Sequence, residues 1–155
     1  MSLPHKLPGL TEREAVADAL YRAILGFDNN DVSIFNSAFI EQDAVFDMSG
    51  HVINGIDAIR TQILDLVGPM DTTHTVSNIR VDLKDGASTA SLTAHAVAQH
   101  CPPGRGKEPD GPKFLSGSTY FIDLVKDESD GLWKIAKYAM KIIWTQGDAS
   151  VMHRP

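Results

Sequence analysis

One cysteine, Cys101, is all the thiol chemistry this chain carries. That excludes an internal disulfide and a cysteine-based zinc site. No His-plus-acid signature surrounds Cys101, so it reads as a small, semi-buried residue and not as a nucleophile. The same scarcity fits a reducing, cytoplasmic location. Positive charge is short as well: 14 Lys and Arg stand against 20 Asp and Glu, a formal net charge of −6. That balance argues against nucleic acid or an anionic membrane as a partner. No apolar run approaches the roughly 20 residues of a membrane span, and Met1-Ser2-Leu3-Pro4-His5-Lys6 lacks the apolar stretch of a signal peptide. Neither a repeat nor an interdomain linker interrupts the chain. What remains is 155 residues with 43% hydrophobic content, enough for one domain with a real core.

Residues 1–10, with Pro4, Pro8 and Gly9, read as a loose arm. Thr11-Glu12-Arg13-Glu14 is a capping box, a hydroxyl followed three residues later by a glutamate. Val16, Ala19, Leu20, Ala23, Ile24 and Phe27 follow at helical spacing, so a first helix runs to about Phe27. Asp28-Asn29-Asn30-Asp31 breaks it, and Asp31 can cap a short second helix. Ala44 to Met48 reads as a strand that turns at Ser49-Gly50 into His51-Val52-Ile53. Gly55 precedes a third helix bearing Ile56, Ile59, Ile63, Leu66 and Val67, stopped by Gly68-Pro69. Strand patterns then cover Thr75 to Leu83, Ala87 to Cys101, Phe114 to Val125 and Leu132 to Trp144. The Pro- and Gly-rich stretch 102–113 is an exposed loop. Residues 11–146 form one domain, and 147–155 are expected to be a flexible tail. Helices first and long strands after predict an α+β fold, helices packed on one face of a curved sheet.

Alternation sorts the histidines. On the strand ending at Cys101, His100 shares a face with Ala90, Leu92, Ala94, Ala96 and Ala98, while His95 falls on the polar face. Small side chains beneath helices leave volume for a ligand, or merely let the helices sit close. Ser118 and Tyr120 lie on an otherwise apolar face, where buried hydroxyls need partners. His74, in Thr72-Thr73-His74-Thr75-Val76, is the most informative residue. With Asp28 and His100 it makes a proton-transfer set that works near neutral pH. A histidine-based metal site is not expected, because His95 and His100 face opposite ways.

These pieces resemble, in order and spacing, the SnoaL-like branch of the NTF2-like superfamily, with its nearest likeness in the scytalone dehydratase group. The residues that carry the likeness are Asp28-Asn29-Asn30-Asp31, Ala44-Val45-Phe46-Asp47 with Gly50, and Gly55-Ile56-Asp57-Ala58-Ile59. Thr73-His74, Gln99-His100 and Asp130-Gly131-Leu132-Trp133-Lys134-Ile135 complete it. The resemblance implies an NTF2-like cone: three N-terminal helices closing a strongly bent, antiparallel or mixed β-sheet around a pocket. It also implies a catalytic base made of Asp28 and His74, a second histidine, His100, acting on the departing hydroxyl as general acid, and a serine at Ser118. The reaction implied is loss of water after proton removal next to a carbonyl. Two tyrosines of the family enzyme are replaced by Phe27 and Met48, and Tyr120 stands where an asparagine would be. Phe27 and Met48 are thus expected to line the substrate site, with Tyr120 taking over as carbonyl donor, and scytalone is disfavoured as the substrate.

The reading is therefore a dehydratase or isomerase that needs no cofactor. It acts on a small, largely apolar cyclic ketone, steroid or polyketide-like substrate and assembles as a homodimer or homotrimer. A non-catalytic binding or association module, and a natural-product cyclase or epoxide hydrolase, are the alternatives on the same fold. The carboxylate-to-imidazole distance and the openness of the pocket separate the first alternative from the enzyme.

Overall fold

The structure, a computed structural model, describes residues 2–153. The capping box forms as the sequence requires: Thr11 Oγ1 accepts the Glu14 backbone N–H at 3.2 Å, and the Glu14 carboxylate accepts the Thr11 N–H at 2.7 Å. Helix α1 then runs Glu12–Asp28 and α2 runs Val32–Ser37, capped by the Asp31 carboxylate. Gly26 is needed where these helices cross, since a Cβ there would sit 2.6 Å from Phe35 Cβ. The third helical stretch is not uniform. It is α3 (Ile56–Ile59), a π-helical turn (Arg60–Leu64) and α4 (Asp65–Val67).

Among the described residues six strands form one sheet: β1 (Val45–Met48), β2 (His51–Asn54), β3 (Asp71–Asp82), β4 (Thr89–Cys101), β5 (Phe114–Asp127) and β6 (Leu132–Gly147), ordered β2-β1-β6-β5-β4-β3. The sheet is mixed, because β1 pairs parallel with β6 while every other pair is antiparallel. The α+β expectation of helices on one face of a bent sheet holds. Strand β3 starts at Asp71, earlier than Thr75, so His74 lies inside the ladder and not at its threshold.

The inner face of the sheet meets α1 and α2 in a core that includes Leu20, Ile24, Phe35, Phe39, Trp133 and Ile135, all buried. Each such side chain contributes about 1.5–3 kcal/mol by leaving water. A buried arginine is built into it. Arg22, 2% exposed, binds Asp18 at 3.2 Å, the Ser37 carbonyl, and the Trp133 carbonyl at 2.5 Å, tying α1 to α2 and β6. Two irregularities bend β5 and β6. Between Asp123/Leu124 and Gly117/Ser118 the register slips, so β6 carries extra residues that switch its faces. Trp144 ends up on the outer face, its indole seated over Gly117, where a Cβ would come within 2.1 Å of Nε1.

The segment 147–155, expected to be a flexible tail, is different over its described part; positions 154 and 155 lie outside the described residues. Residues Ala149–Met152 form a 3-10 helix capped by Asp148, and Asp148 N–H donates to the Lys113 carbonyl at 2.9 Å. Val151 is buried and Met152 reaches the interior, so this end of the chain is held by apolar burial. No helix among the described residues is long and apolar enough to cross a membrane.

Candidate active site

The end of α1 delivers Asp28 to the start of β3. Asp28 Oδ1 stands 2.7 Å from His74 Nδ1, Oδ2 accepts the His74 backbone N–H at 2.9 Å, and Thr72 Oγ1 donates to Oδ1 at 2.8 Å. Burial alone would raise the Asp28 pKa. The hydrogen bonds from the His74 ring, the His74 backbone and Thr72 outweigh it, and the carboxyl is held below its usual range. Asp28 is therefore a carboxylate at neutral pH. Its contact fixes the His74 proton on Nδ1 and leaves Nε2 as the lone-pair nitrogen.

His74 and His100 lie edge to face, ring centroids 5.3 Å apart. Both line a partly open cavity of about 100 Å³ beneath the helices. His100 is 5% exposed, and its Nδ1 lies 3.3 Å from the Phe114 carbonyl. A carbonyl can only accept, so Nδ1 carries the proton. Burial first, then the neighbouring His74, push the His100 pKa down to about 4. At neutral pH it is uncharged, with its Nε2 lone pair unprotonated. This environment favours a hydrogen-bond acceptor over the general acid that the family resemblance implied.

Register explains the cavity. His74 on β3 pairs with Ala98 on β4, and Ala98 pairs with Ser116 on β5. The alanine between them supplies the space, and all three residues line the void. Phe27 and Met48, expected to form the substrate site, are on its wall; the Phe27 ring is 5.8 Å from that of His74. Tyr120 is there too. Ser118 is buried but does not line the cavity, whose serine is Ser116. Ser116 shares the inward parity of Ser118, and nothing in the strand pattern ranks one above the other. His95 points outward and receives a hydrogen bond from Asn78 Nδ2 at 2.9 Å. Asp47 accepts the Gly50 N–H at 2.8 Å and serves the β1–β2 turn.

Part of the wall is not legible in the sequence. Tyr138 is inward only because of the β6 irregularity, since strict alternation from Ile135 would turn it outward. Met152 comes from the segment expected to be flexible. The remainder of the wall is aromatic and aliphatic, with Met140 beside Met48. Methionines are the most adaptable apolar side chains and can yield to a ligand larger than the void. Among the described residues no lysine or arginine lines the cavity. A larger groove of about 720 Å³ lies between Asp65, Arg105 and His153, but it contains neither His74 nor His100. Among the described residues no three His, Cys, Asp or Glu groups are placed to hold a metal ion.

The SnoaL-like domain family matches residues 8–139. A Penicillium crustosum protein named terrestric acid biosynthesis cluster protein E is 42% identical over 151 residues, 97% of this chain and 96% of the relative. Among solved structures, one named as a candidate scytalone dehydratase from Novosphingobium aromaticivorans superposes with a TM-score of 0.72 at 21% identity, covering 86% of this chain and 85% of that one. A hexachlorocyclohexane dehydrochlorinase, LinA type 2, superposes with a TM-score of 0.71 at 17% identity over 92% and 93% of the two chains. At these identities the structural matches speak for the fold, and the family match for kinship. The chain belongs to the SnoaL-like family and has the fold of the NTF2-like superfamily.

Proposed function

We propose that this protein is a cofactor-free hydro-lyase or isomerase acting on a small, neutral, largely apolar cyclic ketone or polyketide-like compound. The observation that carries the reading is the 2.7 Å contact of Asp28 with His74 on the wall of a largely apolar, partly open cavity that His100 also lines. His74 Nε2 takes a proton from the carbon next to the substrate carbonyl. The electron pair moves onto the carbonyl oxygen, where the Tyr120 hydroxyl donates to the enolate. In dehydration the pair returns and expels the β-hydroxyl, which takes the proton from His74 and leaves as water. His100 Nε2 accepts that hydroxyl's own hydrogen and turns an oxygen lone pair toward His74. In isomerisation the proton returns to carbon instead. Both outcomes need proton transfer alone, with no change of oxidation state.

An uncharged substrate suits a wall that is without lysine or arginine among the described residues, beside the Asp28 carboxylate. The Penicillium relative, named for a biosynthetic gene cluster, favours an oxygenated natural-product intermediate. Association of copies through the outer sheet face belongs to the same reading; Val97, Phe121 and Trp144 are exposed there. The test is a panel of neutral β-hydroxy ketones followed by the ultraviolet absorbance of the enone product. His74→Ala should lower turnover by about two orders of magnitude or more. An unimpaired variant with the wild-type fold would remove the assignment.

A further inference from the structure

The cavity wall bears three hydroxyls, those of Ser116, Tyr120 and Tyr138. Two of them are joined. Tyr120 on β5 pairs with Met140, and Tyr138 on β6 pairs with Ile122, so the two phenols are diagonal neighbours on the inner face. Their ring centroids are 5.0 Å apart at 59°. Tyr138 is 1% exposed and cannot swing away. Its ring stacks on Phe46 at 4.7 Å and lies near-parallel to Phe39 at 6.4 Å. The two hydroxyls face each other as hydrogen-bonding partners. Burial raises the pKa of both phenols, so both keep their protons at neutral pH.

A phenol that accepts through its oxygen still has its own O–H to give. In the arrangement with Tyr138 as donor, the Tyr120 proton is left for the cavity, which both phenols line. Chained hydrogen bonds polarise one another, so a Tyr120 that is accepting is also the stronger donor. We propose that Tyr138 is the positioning residue of this site: it donates to the Tyr120 oxygen, and so orients and strengthens the Tyr120 O–H as the donor to the substrate's carbonyl oxygen. The carbonyl is then held against the β5–β6 wall, with the carbon to be deprotonated toward His74 on β3. The sheet order β6-β5-β4-β3 lays out Tyr138, Tyr120, His100 and His74 in that sequence.

The inference rests on the proposed elimination site, yet its test needs no turnover. Protein labelled with carbon-13 at tyrosine Cζ reports the Tyr120 hydroxyl environment in the free state. Tyr138→Phe should move the Tyr120 resonance and raise its titration midpoint, while His74→Ala leaves the tyrosine coupling in place. An unmoved Tyr120 resonance in a folded Tyr138→Phe protein would overturn the proposal. The second measurement is a double-mutant cycle on the affinity for 2-naphthol, a neutral enol mimic whose emission reports binding. Tyr120→Phe should weaken binding by about ten- to a hundredfold and Tyr138→Phe by about three- to tenfold. In the Tyr120→Phe background the second substitution should cost almost nothing. Equal cost in both backgrounds, or 2-naphthol binding indifferent to Tyr120, would show that Tyr138 acts only as packing. Loss of turnover in His74→Ala with an intact cycle separates failure of the base from failure of the donor pair.

Discussion

Asp28 holds His74 twice, with Oδ1 at 2.7 Å from the ring Nδ1 and Oδ2 at 2.9 Å from the backbone nitrogen. One carboxylate therefore sets both the position of the β3 backbone and the tautomer of the imidazole. A residue serving only as a helix-end acid would need neither contact. The price of this arrangement is a charge brought largely out of water, and three hydrogen bonds offset it.

Asp28→Asn separates the two jobs. The amide preserves size and can still accept the His74 N–H. If its NH2 group faces Nδ1, it forces the imidazole proton onto Nε2, where the base's lone pair should be. Turnover should fall by about two to four orders of magnitude while the far-ultraviolet circular dichroism stays unchanged. A variant with near wild-type rate would mean that tautomer control by Asp28 is not needed.

Ser116 and Ser118 offer a direct contest. Both are buried on the inner face of β5, but only Ser116 lines the cavity, in the row it shares with Ala98 and His74. Ser116→Ala should weaken 2-naphthol binding by about three- to tenfold through one lost hydrogen bond. Ser118→Ala should change it by less than about twofold. Affinities measured by fluorescence titration decide this, and the reverse ranking would return the substrate contact to Ser118.

Much of this site is legible in the sequence. The Thr11 capping box, the Asp28-to-Asp31 break and the parity that turns His100 inward and His95 outward are local features, and local rules hold for them. Resemblance to a family pairs Asp28 with His74, and the two do meet. What escapes is non-local. Tyr138 faces the cavity because an extra β6 residue reverses the alternation, and a bulge leaves no mark in a strand's composition. Arg22 sits mid-helix like any solvated cation, and only the fold shows carbonyls from Ser37 and Trp133 closing on it. The segment 147–155 reads as a flexible tail. Two apolar residues, Val151 and Met152, are enough to seat it.

The buried His100 makes stability depend on pH in a defined window. Its folded-state pKa, about 4, lies below the ordinary 6.5. Above about pH 6.5 neither the folded nor the unfolded form is protonated, and stability is full. As the pH falls from 6.5 toward 4 the unfolded chain takes a proton that the folded chain refuses, so stability drops. The total is about 3 kcal/mol, reached near pH 4. Asp28 acts lower, because its depressed pKa keeps its contribution until the pH falls below the carboxylate range. Urea unfolding at pH 7 and pH 5 should therefore show a larger loss for the wild type than for His100→Gln, which can still donate to the Phe114 carbonyl but does not titrate. Parallel losses in the two proteins would mean that His100 is protonated in the fold.

The C-terminal 3-10 helix gives the last contrast, because flexible and packed tails predict opposite results for one truncation. Ending the chain after Gly147 removes Val151, which is 8% exposed, and the Asp148 N–H bond to the Lys113 carbonyl. Burial of a valine side chain is worth about 1.5–3 kcal/mol, so the urea midpoint should fall by a corresponding amount. The truncation also deletes Met152 from the cavity wall, opening the site to water. Water weakens the Tyr120 and His74 interactions that depend on a dry environment. Affinity for 2-naphthol should therefore fall by about tenfold or more even at temperatures where the truncated protein is fully folded. Met152→Ala in the full chain separates the two effects: it should reproduce most of the affinity loss with little of the stability loss. A truncated protein with unchanged midpoint and unchanged affinity would mean that the segment makes no working contact with the domain.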